Sequence, residues 1–436
     1  MEKKPNSLVC EICLGMPGSK PVVNKEAIDY GIKVALALNC KLPKETFFSR
    51  KSYFYPDMSK NFQITQFEIP LAKRGFLNLN GKKIRITRIN LEEDPARVVH
   101  LGTITKARYV LVDYNRSGTP LCEVVTEPDI SSSKEARIFL QELSTILQYL
   151  NVFDPNIEGS MRVDTNVSLE KIRVEIKNIS GFKDVERALN YEIIRQKNLL
   201  RGGKEIVRET RAWDALAGVT RSLRIKEEEE EYGYIFEPDL PRITIRGEKI
   251  SEIKKSLPEF AFQKILRYER EFSIPRNLSS PITSDPDLAK YFEGVVKKVN
   301  PILAARFFAK ELLKTLNYNK LRIRDTNIKP KHLTDLLSLI NENIITDRTG
   351  EMMLREMITK EPDEVLKSKG VSRIFDEKAL KPIVKVVLDE NPNAIMDYKS
   401  GREEAFHFLV GQVMRKTKGR GDPEKIRKLL RARLSS

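Results

Sequence analysis

Leu91-Glu92-Glu93-Asp94 and Asp113-Tyr114-Asn115-Arg116-Ser117-Gly118-Thr119-Pro120-Leu121-Cys122-Glu123-Val124-Val125-Thr126-Glu127-Pro128-Asp129 set carboxylates on backbone that reads as β. The first run closes a strand over Ile84–Leu91. The second supplies a turn and a further strand over Leu121–Thr126. Acids inside apolar strands cost several kcal/mol to desolvate unless a cation compensates them. The stretch therefore points to a β-rich region with something cationic to hold.

On either side the pattern mixes strands with helices. Asn24 through Cys40 reads as a helix capped by Asn24, with Ile28, Ile32 and Ala35 on one face. Tyr109–Asp113 reads as a strand. Ser132 and Glu135 form a capping box before a stripe of Ala136, Phe139, Leu143, Ile146 and Leu150. Farther on, Met161, Val163, Thr165, Val167 and Leu169 alternate with Arg162, Asp164, Asn166 and Ser168. Val174 and Ile176 then alternate with Arg173, Glu175 and Lys177. Period two predicts a hairpin with one apolar and one charged face.

After Pro258 helical periodicity takes over. Pro275, Pro281 and Pro286 punctuate an expected linker, and Lys367-Ser368-Lys369-Gly370 marks a break. In the segment that follows, Phe406, Leu409, Val410, Val413 and Met414 share a helical face. Gly419-Arg420-Gly421 is a hinge, and Asp422 and Pro423 open a last helix with Ile426, Leu429, Leu430 and Leu434 inside. The fold class is α+β. A mixed β-sheet domain spans 1–257, an all-α helical domain with its linker 258–370, and a small α-helical tail domain 371–436.

A chain of 436 residues is long enough for two or three domains. Lysine and arginine number 77 against 61 acids, a net charge of +16, which points to a polyanionic partner, nucleic acid first. No apolar run reaches a membrane span, and Met1–Asn6 lacks the apolar core of a signal peptide. Four cysteines make no disulfide framework, so the expected compartment is a reducing cytoplasm.

Among motifs, Arg50 and Lys51 stand beside Tyr53-Phe54-Tyr55, a pairing suited to phosphate binding and ring stacking. Glu92, Glu93, Asp94, Glu123, Glu127, Asp164 and Glu175 are hard oxygen ligands of the kind Mg²⁺ takes. Cys10 and Cys13 have zinc-knuckle spacing, yet structural zinc takes four ligands, and two ordinary thiols is the competing reading. His100, His332 and His407 are scattered. No phosphate-binding glycine loop or nucleophile elbow occurs. The tail concentrates Arg415, Lys416, Lys418, Arg420, Lys425, Arg427, Lys428, Arg431 and Arg433 against Asp422 and Glu424 alone. That is an expected nucleic-acid grip.

These residues resemble the B-subunit family of tRNA-dependent amidotransferases. The resemblance rests on Arg50-Lys51-x-Tyr53-Phe54-Tyr55-Pro56-Asp57, Gln63-Ile64-x-Gln66 and Leu91-Glu92-Glu93-Asp94. It continues through Asp113-x-Asn115-Arg116-x-Gly118-Thr119-Pro120-Leu121-x-Glu123, Glu158-Gly159-Ser160-Met161-Arg162-Val163-Asp164-x-Asn166 and Glu175-x-Lys177-Asn178. Glu209-Thr210-Arg211, Glu237-Pro238-Asp239-Leu240-Pro241 and Phe408-Leu409-Val410-Gly411-Gln412-Val413-Met414 complete it.

The resemblance implies an ATP-dependent carbon–nitrogen ligase subunit. Aspartate on tRNA(Asn), or glutamate on tRNA(Gln), is phosphorylated on its side chain. Ammonia released from glutamine by an A subunit, in a complex with a C subunit, then displaces phosphate. By position, Glu93, Glu123 and Asp164 match the family's Mg²⁺ carboxylates and Lys51 a site lysine. Arg50, Arg116, Arg162, Lys177 and Arg211 are expected phosphate or carboxylate clamps on charge and placement. The β-rich half would be a cradle carrying the kinase site, with the helical and tail domains engaging the misacylated tRNA. Family members begin with a strand reading roughly Gly-Leu-Glu-Ile-His and a first cysteine pair. This chain starts just before the second pair, an expected N-terminal truncation under which zinc binds only if that first pair is present. The missing strand also leaves a non-catalytic tRNA-binding scaffold as the alternative. The interval from Pro241 to Pro286 has no room for the inserted domain of the archaeal E subunit.

Overall fold

The structure is a computed structural model that describes residues 4–79, 81–100, 109–157, 159–170, 172–225, 233–369, 377–417, 421 and 423–434. It divides into two compact units, Met1–Pro258 and Glu259–Ser436.

The first unit opens with α1 (Lys25–Ala37), where Asn24 accepts from the Glu26 amide at 2.8 Å, as its capping role requires. Strands β1 (Glu45–Thr46), β2 (Ser49–Ser52), β3 (Phe62–Thr65), β4 (Ala72–Leu79) and β5 (Lys82–Glu93) follow. Next come β6 (Arg97–His100), β7 (Val110–Asp113), β8 (Pro120–Thr126) and α2 (Ser133–Tyr149). Then β9 (Val163–Val167), β10 (Val174–Ile179), α3 (Phe182–Arg201), β11 (Glu209–Asp214) and β12 (Val219–Ile225) form one sheet and its helix. Last are β13 (Gly233–Phe236), β14 (Ile243–Thr244) and α4 (Gly247–Lys255).

Sheet order shows how distant segments meet. β13-β2-β3 and β4-β5-β8 are three-stranded, β12-β11-β10-β9 is four-stranded, and β1 pairs with β14. The expected hairpin is β9–β10, antiparallel, with Val167, Val174 and Ile176 buried and Asp164 and Asn166 exposed. The capping box of α2 is half formed. Ser132 Oγ accepts from the Glu135 amide at 3.1 Å, but the Glu135 carboxylate takes the Ser131 amide at 2.6 Å and Lys82.

β5 carries the detail that decides the site. Ile84 and Ile86 are buried, then a β-bulge slips the register against β8 between Ile86 and Arg88. Past the slip the buried apolar residues are Ile89 and Leu91, in opposite phase. Arg88, Asn90 and Glu92 therefore share one face, with Asn90 directly opposite Glu123. Glu93 shares the other face with Ile89 and Leu91. Leu91 belongs to a core with Ile32, Phe48, Ile64, Leu71, Leu240 and Ile253. At Gly75 in β4, a Cβ would stand 2.5 Å from the Leu38 carbonyl oxygen, so only hydrogen fits where the end of α1 docks.

The second unit is helical. α5 (Ala261–Phe272), α6 (Arg276–Thr283), α7 (Pro286–Val295), α8 (Pro301–Arg306) and α9 (Leu313–Tyr318) are followed by α10 (Pro330–Asn341), α11 (Asp347–Met357) and α12 (Pro362–Lys369). They enclose a core around Tyr268, Phe292 and Phe308. The linker expected around Pro275, Pro281 and Pro286 is instead helical. Pro275 occupies the N-cap of α6, Pro281 lies within it, and Pro286 opens α7, where no intrahelical N–H is needed. α13 (Glu377–Glu390), α14 (Pro392–Lys399), α15 (Glu403–Lys416) and α16 (Pro423–Leu434) surround a separate core of Leu380, Val384, Phe406, Leu409, Ile426 and Leu430. Among the described residues no helix is long and apolar enough to cross a membrane.

Candidate functional site

The first unit contains a cleft of about 850 Å³ lined from β2, β4, β5, β8 and β13 and from the Thr65–Pro70 segment. Its floor is the polar face that the bulge creates. Asn90, only 4% exposed, donates through Nδ2 to Glu123 Oε2 at 2.9 Å, and its Oδ1 is buried without a hydrogen-bond partner. Glu92 lies on the same strand face. Thr65 Oγ1 donates to its Oε1 at 2.6 Å and Gln63 Nε2 to its Oε2 at 3.3 Å. Burial, then the charge of Glu123, pushes the Glu92 carboxyl above its ordinary value. Lys51 and Arg88 pull the other way.

The rest of the lining is cationic and aromatic. Lys51, Lys73, Arg74, Lys83 and Arg88 contribute, and Phe67 stacks on Tyr234 with ring centres 3.9 Å apart at 14°. Glu127 accepts from Thr87 Oγ1 at 2.8 Å. Hard oxygen donors at Glu92, Glu123 and the orphaned Asn90 Oδ1 fit a divalent cation that completes its shell with water and phosphate. Among the described residues no three His, Cys, Asp or Glu side chains converge as a ready-made metal cage.

Two of the expected Mg²⁺ carboxylates, Glu93 and Asp164, are not among the residues that line this cleft. Glu93 faces the core side of β5, where it meets Lys60 at 2.5 Å and the Ile64 amide at 2.7 Å. Asp164 projects from β9 in the four-stranded sheet, 3.5 Å from Lys177, and does not line the cleft. Glu123 and Lys51 do line it.

The expected clamps are occupied by acids of the chain itself. Arg50 holds buried Glu237 at 2.6 and 2.9 Å and Asp239 at 3.2 Å. Arg116 at 3.0 Å and Arg162 at 2.6 Å both pair with Asp94, whose carboxyl burial pushes upward. Arg211 lies between Glu209 at 2.7 Å and Glu192 at 3.5 Å, and Lys177 adds Glu175 at 3.6 Å. Each of these cations meets an acid of the chain in this structure.

Cys10 and Cys13 bring their sulfurs to 3.5 Å, with the Cys13 thiol donating to the Ser117 carbonyl at 3.2 Å. Because no third His, Cys, Asp or Glu among the described residues joins them, two sulfurs fall short of a tetrahedral zinc site. In the tail, Arg415, Lys416, Arg427 and Lys428 are exposed on α15 and α16, Lys425 is half-buried, and Lys416 meets Glu390 at 2.5 Å. Lys418 and Arg420 lie outside the described residues, as do Glu158 and the Glu227–Glu231 run.

Asn90, Phe67 and Tyr234 did not figure among the sequence-derived site residues. The signal was present for one of them, since Asn90-x-Glu92 has the spacing of one strand face.

Comparison with known proteins fixes the class first. Residues 1–251 match the family model described as the GatB/GatE catalytic domain, and residues 290–434 match the one described as the GatB domain. The chain belongs to the GatB family, the B subunits of aspartyl/glutamyl-tRNA(Asn/Gln) amidotransferases. It is similar to the B subunit from Thermotoga maritima, with 43% identity over 97% of this chain and 91% of that protein. The B subunit from Methanoregula boonei is 44% identical over 99% and 92%, and that from Carboxydothermus hydrogenoformans 42% over 99% and 93%.

Proposed function

We propose that this chain is the carboxylate-activating subunit of a tRNA-dependent amidotransferase. It uses ATP to phosphorylate the side-chain carboxylate of Asp-tRNA(Asn), Glu-tRNA(Gln) or both, within a complex with A and C subunits. The observation that carries the reading is the Asn90–Glu92–Glu123 floor, an acidic, orphan-bearing surface under a cationic wall.

The chemistry explains why such a floor is useful. A carboxylate resists amide formation because its leaving group would be oxide, and phosphorylation replaces that with phosphate. The phosphoryl group in flight needs charge neutralisation more than covalent help. A Mg²⁺ ion held by Glu92, Glu123 and Asn90 Oδ1 would supply part of that neutralisation. Lys51 and Arg88 bind phosphate oxygens, and the Phe67–Tyr234 stack gives a planar ring a surface to rest on. Ammonia delivered by the A subunit then attacks the activated carbonyl carbon, and phosphate leaves.

The reading is tested by assembling the complex and following misacylated tRNA with γ-labelled ATP. Amide formation with one phosphate released per amide is expected. Amide formation that proceeds without ATP would overturn the reading.

The exposed tail cations have a separate, electrostatic role on tRNA phosphates. Replacing Arg427 and Lys428 by alanine is expected to weaken tRNA binding and reduce the log–log salt slope by roughly 1–2. Filter binding across a salt series measures this, and an unchanged slope would remove both residues from the interface.

A further inference from the structure

We propose that Lys41, Lys73 and Arg74 seat backbone phosphates of the RNA substrate where its aminoacylated end enters the cleft. The inference rests on the activation reading above, which needs an amino acid esterified to RNA to reach the Asn90–Glu92–Glu123 floor. It adds residues to that site, apart from the basic tail.

The register of three chain segments lays a row of cations across the sheet. Lys41 forms an isolated antiparallel bridge with Lys73, and Lys73 stands opposite Arg88 of β5. Residues directly opposite in an antiparallel ladder project from the same face, so the three follow one another at strand spacing, roughly 5 Å. Both backbone groups of Lys73 are spent on Lys41, the amide at 2.9 Å and the carbonyl at 2.8 Å. Its pairing with Arg88 is therefore the non-hydrogen-bonded kind, which sets side chains closest. Like charges so placed repel. Arg85, farther along β5, is neutralised by Asp129 at 2.6 Å. Among the described residues no acid forms an ion pair with Lys41, Lys73, Arg74 or Arg88.

A fourth cation joins through backbone geometry. Successive side chains of a regular strand face opposite ways, yet Lys73 and Arg74 both line the cleft. Arg74 has a φ of +56°, a left-handed conformation uncommon for a residue with a Cβ. The Lys41 bridge holds one side of it. The Phe76 amide, donating to the Leu38 carbonyl at 2.8 Å, holds the other. The fold thus maintains a strained residue beside a repulsive row, and a bound anion relieves the repulsion.

The direction of the row selects the anion. Arg88 is half-buried, on the same face of β5 as Asn90, whereas Lys73 and Arg74 are exposed and Lys41 lies beyond the cleft lining. Positive charge therefore runs from beside the floor out to solvent. A nucleoside triphosphate ends within a cleft, but RNA that carries its amino acid to the floor must trail out of it. Lysine and arginine hold such a backbone without reading its bases.

The test uses the assembled complex with Lys41→Gln and Lys73→Gln together and, separately, Arg74→Asn, which removes the charge but tolerates the left-handed backbone. Filter binding of misacylated tRNA without ATP is expected to weaken several-fold. In the double variant its log–log salt slope should fall by roughly 1–2. In steady-state assays KM for misacylated tRNA rises several-fold, while kcat and KM for ATP keep the parent's values. Arginine at positions 41 and 73 retains parental binding. The double glutamine variant melts at or above the parent's temperature, because a repulsion is gone. A raised KM for ATP with tRNA binding unchanged, no change in either, or a lowered melting temperature would overturn the proposal. Filter binding needs no turnover, so a complex that makes no amide in any form counts against the function proposed above, and the salt series alone judges the phosphate seat.

Discussion

Glu92→Gln is expected to slow ATP-dependent amide formation by about 10²–10³-fold, the scale of losing one preorganised charge-stabilising group. Glu93→Gln, one residue along, should leave the rate per folded molecule within a few-fold. Its loss is structural, because Glu93 satisfies Lys60 and the Ile64 amide on the core side, and removing it costs roughly 1–3 kcal/mol of stability. Paired assays and denaturant unfolding on both variants separate the two effects. Equal loss of activity in both would show that the face of β5 does not decide the site. Glu92→Gln should also change the pH dependence of stability. The folded carboxyl is held above its ordinary value, so the native state binds the proton more tightly than the unfolded chain. Stability is then greatest below the ordinary glutamate range and declines as pH rises through the elevated value. The glutamine variant lacks that decline.

The second large effect belongs to Asp94. Its side chain is 4% exposed and bears both Arg116 and Arg162, while its backbone bonds Gly118 and Thr119. Asp94→Ala leaves two guanidiniums without their acid. The cost expected is roughly 2–4 kcal/mol, at or below the 3–5 kcal/mol of a wholly buried pair because both arginines keep contact with water. Asp94→Asn keeps the shape and an acceptor and should cost about half as much. Thermal or urea unfolding measures both. A cycle adding Arg162→Ala should be clearly non-additive, since the two side chains share one interaction. A loss for Asp94→Ala no larger than that of an exposed surface pair would show that the cluster contributes nothing to the fold.

Much of the fold was legible because its signals are local. Asn24 caps where it was expected, the Val163–Ile176 alternation gives its hairpin, and Phe406, Leu409, Val413, Ile426 and Leu430 are buried together. Pro275 and Pro286 misled because a breaker at an N-cap or first turn permits the helix it is taken to end. The site was legible in composition but not in phase. Counting by twos from Ile84 and Ile86 puts Glu92 toward the core and Glu93 away from it. One inserted residue near Thr87 reverses that, and no residue in the stretch announces a bulge. The arginine clamps bring in a different kind of distance. Glu237 stands 187 residues from Arg50, and only the folded chain brings the two together.

The pairing of β2 with β13 and of β1 with β14 sets an order on biosynthesis. Tyr234 is part of the cleft wall, and Glu237 neutralises Arg50 from a position 187 residues downstream. A nascent polypeptide emerging from the ribosome therefore holds its early strands without their closing partners until this stretch clears the exit tunnel. Long-range closure of this kind is slow, and the waiting strand edges are open to misassembly. Translation arrested before Gly233 would yield a chain without Tyr234, and Phe67 would have no ring to stack on.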